Sequence, residues 1–462
     1  MNRKNTIIAL GIFFCNLCFG QTTDNTKNNF TLKQCVDYAL QNQSSIKNAT
    51  INEAIANAKV KEVTGMGLPQ VKGTVQLSNN DPLRRMFLAG NSPLVKSFFP
   101  PQTAQEVAQE KVIAVPNFFQ LPSSGDAGFS GSQLIFSASY IVGLQAAKTY
   151  KELSSKATQQ TKIQVTEAVT KAYYLVLVNQ ERMKLLESNV ARIDSLLKQI
   201  KAMYENGFVE SIDADRMQVT YNNITTEKEK FDNLLLLSKM LLKYQMSMPL
   251  ENELELSEKM NDFKVEDITP SVQKPNYSGR IEYSLMESQR KLQQLDLRSN
   301  KSVYFPSLAI FGSVGTFSQS PKFDYFSSTN LWYGYGMYGM TLTIPVFDGF
   351  QSSYKIKQSK LNLKKTENDF ANLERAIDLQ IKSSEINLKN SLRSLESQSK
   401  NIQLAKEVAR VTKIKYQEGV GTSLELTTAE TALLEAQTNY FNALYDALVA
   451  KVDYEKANGI IK

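Results

Sequence analysis

The chain has 462 residues, with 53 lysines and arginines against 46 aspartates and glutamates, a formal net charge of +7. It contains no histidine and three cysteines, at positions 15, 18 and 35. This composition excludes histidine-based catalysis, histidine metal ligands, a four-cysteine zinc site and a disulfide framework. At 42% hydrophobic residues, the chain is neither disordered nor a polytopic helical membrane protein.

Residues 1–20 have the pattern of a secretory signal peptide. Arg3 and Lys4 form a basic start, Ile7 to Phe14 is apolar, and small Gly20 ends the segment. A short membrane anchor is the alternative, but the apolar run is too short to span a bilayer. The mature chain would carry 51 basic and 46 acidic residues, a modest excess that does not indicate a nucleic-acid partner.

The distribution of prolines predicts two long helical stretches. Seven prolines fall between Pro69 and Pro122, none between residues 123 and 248, and none after Pro345. Both proline-free stretches are rich in strong helix formers. The second carries an apolar stripe with a seven-residue spacing and one step of four, which by itself is typical of an ordinary coiled coil: Ile356, Leu363, Phe370, Ile377, Ile381, Leu388, Leu395 and Ile402.

Four short segments have the features of β-strands. Residues 69–79 and 338–348 alternate apolar and polar side chains, and 128–138 and 306–318 occupy the matching places. About ten residues suffice for a tilted transmembrane strand. Loops 81–127 and 319–336 would face outward. Nearby aromatic residues fit either an interfacial girdle or a packed loop: Phe323, Tyr325, Phe326, Trp332, Tyr333 and Tyr335.

Two glycine-centred breaks predict the tips of helical hairpins. They lie at 204–209 and 416–421, and a serine or threonine is expected to cap the helix that follows each. The tips are 212 residues apart, and Phe136 and Phe347 before the helices are 211 apart. Such agreement indicates an internal duplication. The repeats span residues 31–248 and 279–460, and residues 249–278 form a linker.

The predicted fold class is therefore α+β, with long antiparallel helical hairpins and four transmembrane strands per chain. Four strands cannot close a membrane barrel, and an open sheet edge is not tolerated in lipid. The chain must then oligomerise, giving eight strands in a dimer or twelve in a trimer. The helices would form a tunnel of about 100 Å below the strands.

The chain resembles the TolC family of outer-membrane efflux proteins. The matching features are Leu68-Pro69 and Phe305-Pro306 at strand entries, the turn at 345–349 and the two tips. The resemblance implies a homotrimer in the cell outer membrane, with a twelve-stranded β-barrel in contact with lipid and an α-barrel tunnel in the periplasm. It also implies a periplasmic adaptor and an inner-membrane pump as partners, and no cofactor.

The resemblance also assigns roles to residues near the tips. Tyr416 and Asp213 correspond to a gate link between neighbouring hairpins, whereas the arginine of a second link falls on Gly421. Glu425 and Thr428 fall on the ring that narrows the entrance. Alternatively, Tyr416 is a helix-end packing residue and the two acids are first-turn residues favoured by the helix dipole. The surface expected to contact an adaptor is Gly207, Phe208, Val209, Gly419, Val420, Gly421 and Thr422.

The predicted function is a passive outer-membrane exit duct of a tripartite efflux or secretion system. Drugs, metals and exported polypeptides all remain candidate cargoes. The alternative is a periplasmic coiled-coil adaptor without a barrel, which the duplicated strand segments disfavour. An enzyme is disfavoured because the sequence has no nucleophile–base pair, phosphate loop or metal-ligand spacing.

Overall fold

A computed structural model describes residues 29–89, 92–98, 112–115, 117, 119–258, 277–325 and 330–461. The predicted signal peptide and residues 259–276 of the predicted linker lie outside this set. The helices are α1 (Leu32–Asn42), α2 (Ser44–Gly65), α3 (Pro93–Phe98), α4 (Ala138–Glu205), α5 (Ser211–Met246), α6 (Ile281–Ser302), α7 (Gln351–Gln417) and α8 (Ser423–Ala457). The strands are β1 (Asn29–Phe30), β2 (Gln70–Asn79), β3 (Met86–Ala89), β4 (Val112–Val115), β5 (Ser123–Ser137), β6 (Glu255–Leu256), β7 (Ser307–Ser320) and β8 (Tyr333–Thr343).

The chain divides into two compact units. The unit called here the hairpin unit contains the described residues up to 43, 165–258 and 387–453. The sheet unit contains the described residues of 44–164, 277–386 and 454–461.

The sheet unit contains an antiparallel sheet of four strands in the order β2-β5-β7-β8. Strands β2 and β7 begin immediately after Pro69 and Pro306. Strand β5 begins at Ser123, five residues before the predicted start, and has a bulge between Leu134 and Phe136. The predicted loop 81–127 also contains helix α3 and a small two-stranded antiparallel sheet formed by β3 and β4.

Strand β8 lies earlier in the chain than the sequence pattern predicted. The expected range 338–348 was wrong at both ends, since pairing with β7 runs from Tyr333 to Thr343. Pro345 has no backbone N–H to donate to a strand ladder. The chain instead turns into α7 through Gly349 and Phe350, whose φ angles are +66° and +67°. Asp348 begins this helix by accepting a hydrogen bond from the Ser352 amide at 2.9 Å.

The two faces of this sheet differ in polarity. Because directly paired residues point to the same side and successive residues alternate, the register defines both faces. One carries polar side chains such as Lys72, Gln76 and Asp126. The other is apolar and exposed in the chain, and Val71, Val75, Phe129, Val314, Met340 and Leu342 lie on it.

The hairpin unit is held together by apolar residues spaced seven apart. Leu186, Ile193 and Ile200 on α4 pack in one cluster with Met217, Ile224 and Phe231 on α5. This spacing is that of coiled-coil seams. The predicted stripe on α7 is likewise buried or half-buried throughout.

The start of the described chain is fastened to the segment that follows α5. Strand β1 pairs in parallel with β6. The Glu258 carboxylate accepts hydrogen bonds from the Leu32 amide at 3.1 Å and from the Tyr173 hydroxyl at 2.7 Å. Tyr173 is fully buried, so this contact fixes α1 against the core of the hairpin unit.

A buried polar network joins α4 to α8. Glu430, only 1% exposed, is paired with Arg192. Arg192 also donates to the side-chain oxygen of Asn189 at 3.1 Å, and the side-chain amide of Asn189 donates to the side-chain oxygen of Gln437 at 2.5 Å. A buried charge is tolerated only when it is paired, so the network sets the register of α8 against α4.

We predict that Arg192→Met lowers the apparent melting temperature, measured by circular dichroism, because it leaves the Glu430 carboxylate buried and unpaired. The expected cost is about 3–5 kcal/mol. The double variant Arg192→Met/Glu430→Leu should recover most of the loss. Arg410→Met, which removes the exposed pair with Glu407, is the control and should cause no measurable change. Equal melting temperatures for Arg192→Met and the parent would contradict this account.

Candidate functional site

The first hairpin tip closes through a left-handed glycine. Gly207 has a φ angle of +75°, a conformation that favours glycine. Its amide donates to the Tyr204 carbonyl at 2.9 Å, and the Phe208 amide donates to the Met203 carbonyl at 2.9 Å. This pair of bonds is a Schellman motif. Phe208 is 77% exposed, whereas Val209 packs against the core.

The second tip repeats the same backbone bonds. Gly419 has a φ angle of +73°, and its amide donates to the Tyr416 carbonyl at 3.2 Å. The Val420 amide donates to the Lys415 carbonyl at 3.0 Å, and the Val420 side chain is 77% exposed. A Cβ at Gly421 would lie 3.0 Å from the Tyr416 amide nitrogen. Any side chain at this position, including the arginine of the second link that the resemblance aligns with Gly421, would therefore need a shift of the turn.

The helices that follow the tips begin in different ways. Thr422 forms a capping box with Glu425: its hydroxyl accepts from the Glu425 amide at 3.2 Å, and its amide donates to the Glu425 carboxylate at 3.4 Å. At the first tip the cap residue is Glu210, which makes no side-chain cap bond. The expectation of a serine or threonine cap at both tips was wrong for α5.

The predicted entrance residues Glu425 and Thr428 are both exposed. They lie three residues apart on α8, so they share one face of the helix. The carboxylate of Glu425 thus combines a structural contact at the helix start with exposure to solvent.

Asp213 contacts Ser423 rather than Tyr416. The Ser423 hydroxyl donates a short hydrogen bond to the Asp213 carboxylate, and Ser423 is only 4% exposed. Arg216 lies one turn further along α5 and approaches the same carboxylate at 3.5 Å. The two hairpins of the chain are therefore joined at their tips by a hydroxyl–carboxylate bond with a neighbouring guanidinium.

Within the described part of the chain, Tyr416 and Asp213 form no hydrogen bond with each other. The Tyr416 hydroxyl is buried and has no hydrogen-bond partner among the described residues. Its pKa is raised by burial and by the negative charge of Asp213. The ring belongs to the same core cluster as Ile193 and Leu426, so in this structure Tyr416 is a packing residue of the helix end.

Two contacts of this site were missed from the sequence. Arg216 follows Asp213 by three residues, a spacing typical of helical ion pairs, and could have been found. Ser423 stands 212 residues after Ser211, but its bond to Asp213 depends on the register of two distant helices. The burial of Tyr416 could also have been predicted from the sequence, because Tyr416 continues the seven-residue series of Ile402 and Ala409.

Among the described residues, no helix is both long and apolar enough to cross a lipid bilayer. The same part of the chain contains no group of three or more cysteine, aspartate or glutamate side chains placed to hold a metal ion.

Comparisons with known proteins agree with this architecture. A family model described as outer membrane efflux protein matches residues 285–459. Outer membrane protein TolC of Vibrio cholerae is 21% identical over 354 residues, covering 74% of this chain and 79% of the relative. The predicted resemblance to the TolC family is confirmed. The TolC relative is named an outer membrane protein. The matched family is described as an outer membrane efflux protein.

Solved structures share the TolC-like fold. The Campylobacter jejuni CmeC outer membrane channel has a TM-score of 0.72 at 17% identity, covering 93% of this chain and 85% of that one. The outer membrane protein VceC of Vibrio cholerae has a TM-score of 0.69 at 12% identity, covering 93% and 96%. At these identities the likeness concerns the fold alone.

We predict that Tyr416→Phe does not destabilise the protein and raises its apparent melting temperature slightly. Removing a buried hydroxyl without a partner relieves a desolvation cost of about 1–3 kcal/mol. Differential scanning calorimetry of the purified protein measures this change. A marked fall in melting temperature would mean that the hydroxyl has a partner in the assembled protein and would restore the Tyr416–Asp213 link.

Proposed function

We propose that the chain is the outer-membrane exit duct of a tripartite efflux or secretion system and works as a homotrimer. Three copies of the sheet would form a twelve-stranded barrel, and three pairs of hairpins would form a periplasmic tunnel. The duct is passive, without catalysis or a cofactor. An inner-membrane pump supplies the energy, and a periplasmic adaptor contacts the tip surface around Phe208 and Val420.

The observation that carries this proposal is the four-stranded sheet with an exposed apolar face and two unpaired edges. Strands β2 and β8 each pair on one side only among the described strands. The apolar face suits contact with lipid hydrocarbon, but an unpaired strand edge does not, because its N–H and C=O groups would lack partners there. Pairing β2 of one copy with β8 of the next removes every such edge.

Exposed apolar residues on the hairpins also support self-association. On α5, Val219 and Leu237 are 58% and 60% exposed, and on α7, Leu404 and Val408 are 66% and 54% exposed. Apolar surface of this kind is stabilised when another protein surface covers it. Neighbouring copies provide such a cover along the length of the helices.

A periplasmic adaptor without a barrel remains the competing function. Its hairpins would account for the helical tips equally well. It would not account for a sheet whose apolar side chains are exposed, with Val75 at 75% and Met340 at 73%. Fractionation of cells by density gradient separates the two proposals, since the duct accompanies the outer membrane.

We predict that the protein purified in detergent has three times the mass of one chain, excluding bound detergent. Multi-angle light scattering or native mass spectrometry measures this quantity. A stable monomer would contradict closure of the sheet by neighbouring copies, and a dimer would require an eight-stranded barrel.

We further propose that the tip contact between Asp213 and Ser423 helps to hold the periplasmic entrance closed. A hydrogen bond to a charged group contributes about 1.5–3 kcal/mol. Such a difference biases a two-state equilibrium roughly tenfold to a hundredfold. Arg216 beside the carboxylate supplies a positive charge at a tip where the arginine of the second link is missing, since Gly421 takes its place.

We predict that Ser423→Ala raises the single-channel conductance, or the fraction of time spent open, in planar lipid bilayers. Ser211→Ala is the matched control, because Ser211 occupies the equivalent place at the first tip, is exposed and forms no side-chain bond in the described chain. Tyr416→Phe should conduct like the parent. If Ser423→Ala conducts like the control, this contact does not contribute to the gate.

We predict that Glu425→Gln reduces the preference of the channel for cations. Three copies would place three carboxylates at the entrance, and a ring of negative charge favours cations. Glutamine retains the ability to complete the capping box, so the helix start should survive. Reversal potentials in a potassium chloride gradient measure the change, with Glu205→Gln at the other tip as control. An unchanged reversal potential would exclude Glu425 from the selective constriction.

A further inference from the structure

A cavity of about 280 Å³ lies within the hairpin unit between α4, α5 and α8. Its walls include the rings of Phe231 and Phe441 and the side chains of Ile224 and Leu434. Eight of the fourteen lining residues are polar, and Arg182, Asn189, Glu227 and Gln437 are among them. Aromatic and aliphatic walls combined with convergent polar groups are typical of sites for small organic molecules.

Arg182 is the charged group of this cavity. Its guanidinium lies 3.7 Å from the centre of the Phe231 ring and donates to Thr438 at 3.3 Å and Asn442 at 3.4 Å. Among the described residues, no carboxylate lies within ion-pair distance of it. Burial lowers the pKa of the guanidinium, and the charge of Glu227 opposes that shift. The group therefore remains a cation that lacks a direct anionic partner.

Gln437 presents an unused donor to the same space. The side chain is 5% exposed, and its carbonyl accepts from the Asn189 amide at 2.5 Å. Asn189 is in turn fixed by Arg192, so the Gln437 amide is held in one orientation. No acceptor for the Gln437 Nε2 group occurs in the described chain. An amide donor that lines a cavity and has no acceptor in the chain is available to water or to an acceptor on a ligand.

We propose that this cavity binds a small amphiphilic monocarboxylate. The apolar part of the ligand lies between Phe231 and Phe441, and its carboxylate accepts hydrogen bonds from Arg182 and Gln437. Charge-assisted bonds of this kind are among the stronger polar contacts in proteins. A ligand amine is disfavoured, because the Arg182 cation occupies the cavity and Glu227 already has Lys230 at 4.0 Å.

The volume limits the ligand to a single ring or a short chain. An aryl or alkyl acid of about a dozen non-hydrogen atoms fills a cavity near the lower end of the usual range for ligand sites. Glu227 also disfavours a dianion, since a second negative charge would approach its carboxylate. This assignment uses only residues of one chain and does not depend on the proposed duct.

The test uses 4-phenylbutyrate as the probe and full-length protein exchanged from detergent into amphipol. Isothermal titration calorimetry compares the acid with 4-phenylbutanol and 4-phenylbutylamine, which have the same apolar body. We expect the acid to bind at least tenfold more tightly than the alcohol or the amine. Equal binding of acid and alcohol, tighter binding of the amine, or no binding of the acid at 10 mM would overturn the proposal.

Variants locate the binding in this cavity. Arg182→Gln and Gln437→Leu should each weaken binding of the acid, the first by tenfold or more, without changing binding of the alcohol. Arg410→Gln on α7 is the control and should bind like the parent. Circular dichroism checks that each variant folds. If Arg182→Gln misfolds, the affinity of Phe441→Ala for the acid is measured instead, because this variant keeps both polar groups. Unchanged affinity in the folded variants would contradict the assignment.

Discussion

Apolar side chains spaced seven residues apart set the geometry of the hairpin unit. The series on α4 and α5 keeps the same faces of the two helices together, and the tips then lie where these series end. The polar contacts depend on this register: Asp213 reaches Ser423, and Arg192 reaches Glu430, because the helices are already aligned. The cavity beside Gln437 follows from the same packing, since Phe231 belongs to the apolar series and also forms its wall.

Different demands apply to the sheet unit. Its four strands satisfy the backbone between them, yet β2 and β8 each retain one unpaired side among the described strands. The alternation of side chains produces an apolar face with nothing from the described chain covering it. Closure of the sheet by copies of the chain would pair the strand edges and leave the apolar face toward lipid. The proposed assembly therefore follows from the sheet more directly than from the helices.

Sequence patterns predicted the local features of this fold well. The placement of prolines and the duplicated glycine tips predicted the long helices. Pro69 and Pro306 predicted the starts of β2 and β7. The start of β8 was missed because its glycine- and tyrosine-rich residues lack the usual alternation. The contacts of Asp213 and Glu430 could not be predicted in detail, since each joins residues more than 200 positions apart and depends on helix register. For Tyr416, the resemblance outweighed a seven-residue series that correctly indicated burial.

The two tips share one backbone conformation but not one side chain. Gly207 and Gly419 close their turns through equivalent hydrogen bonds, and the residue that follows is phenylalanine in one and valine in the other. In a trimer the turns would form a ring of six nearly equivalent backbones in which large and small side chains alternate. A binding partner could then recognise the main chain with sixfold periodicity and the side chains with threefold periodicity. Rings of three or of six subunits would thus both find matching positions at the tips of such a trimer.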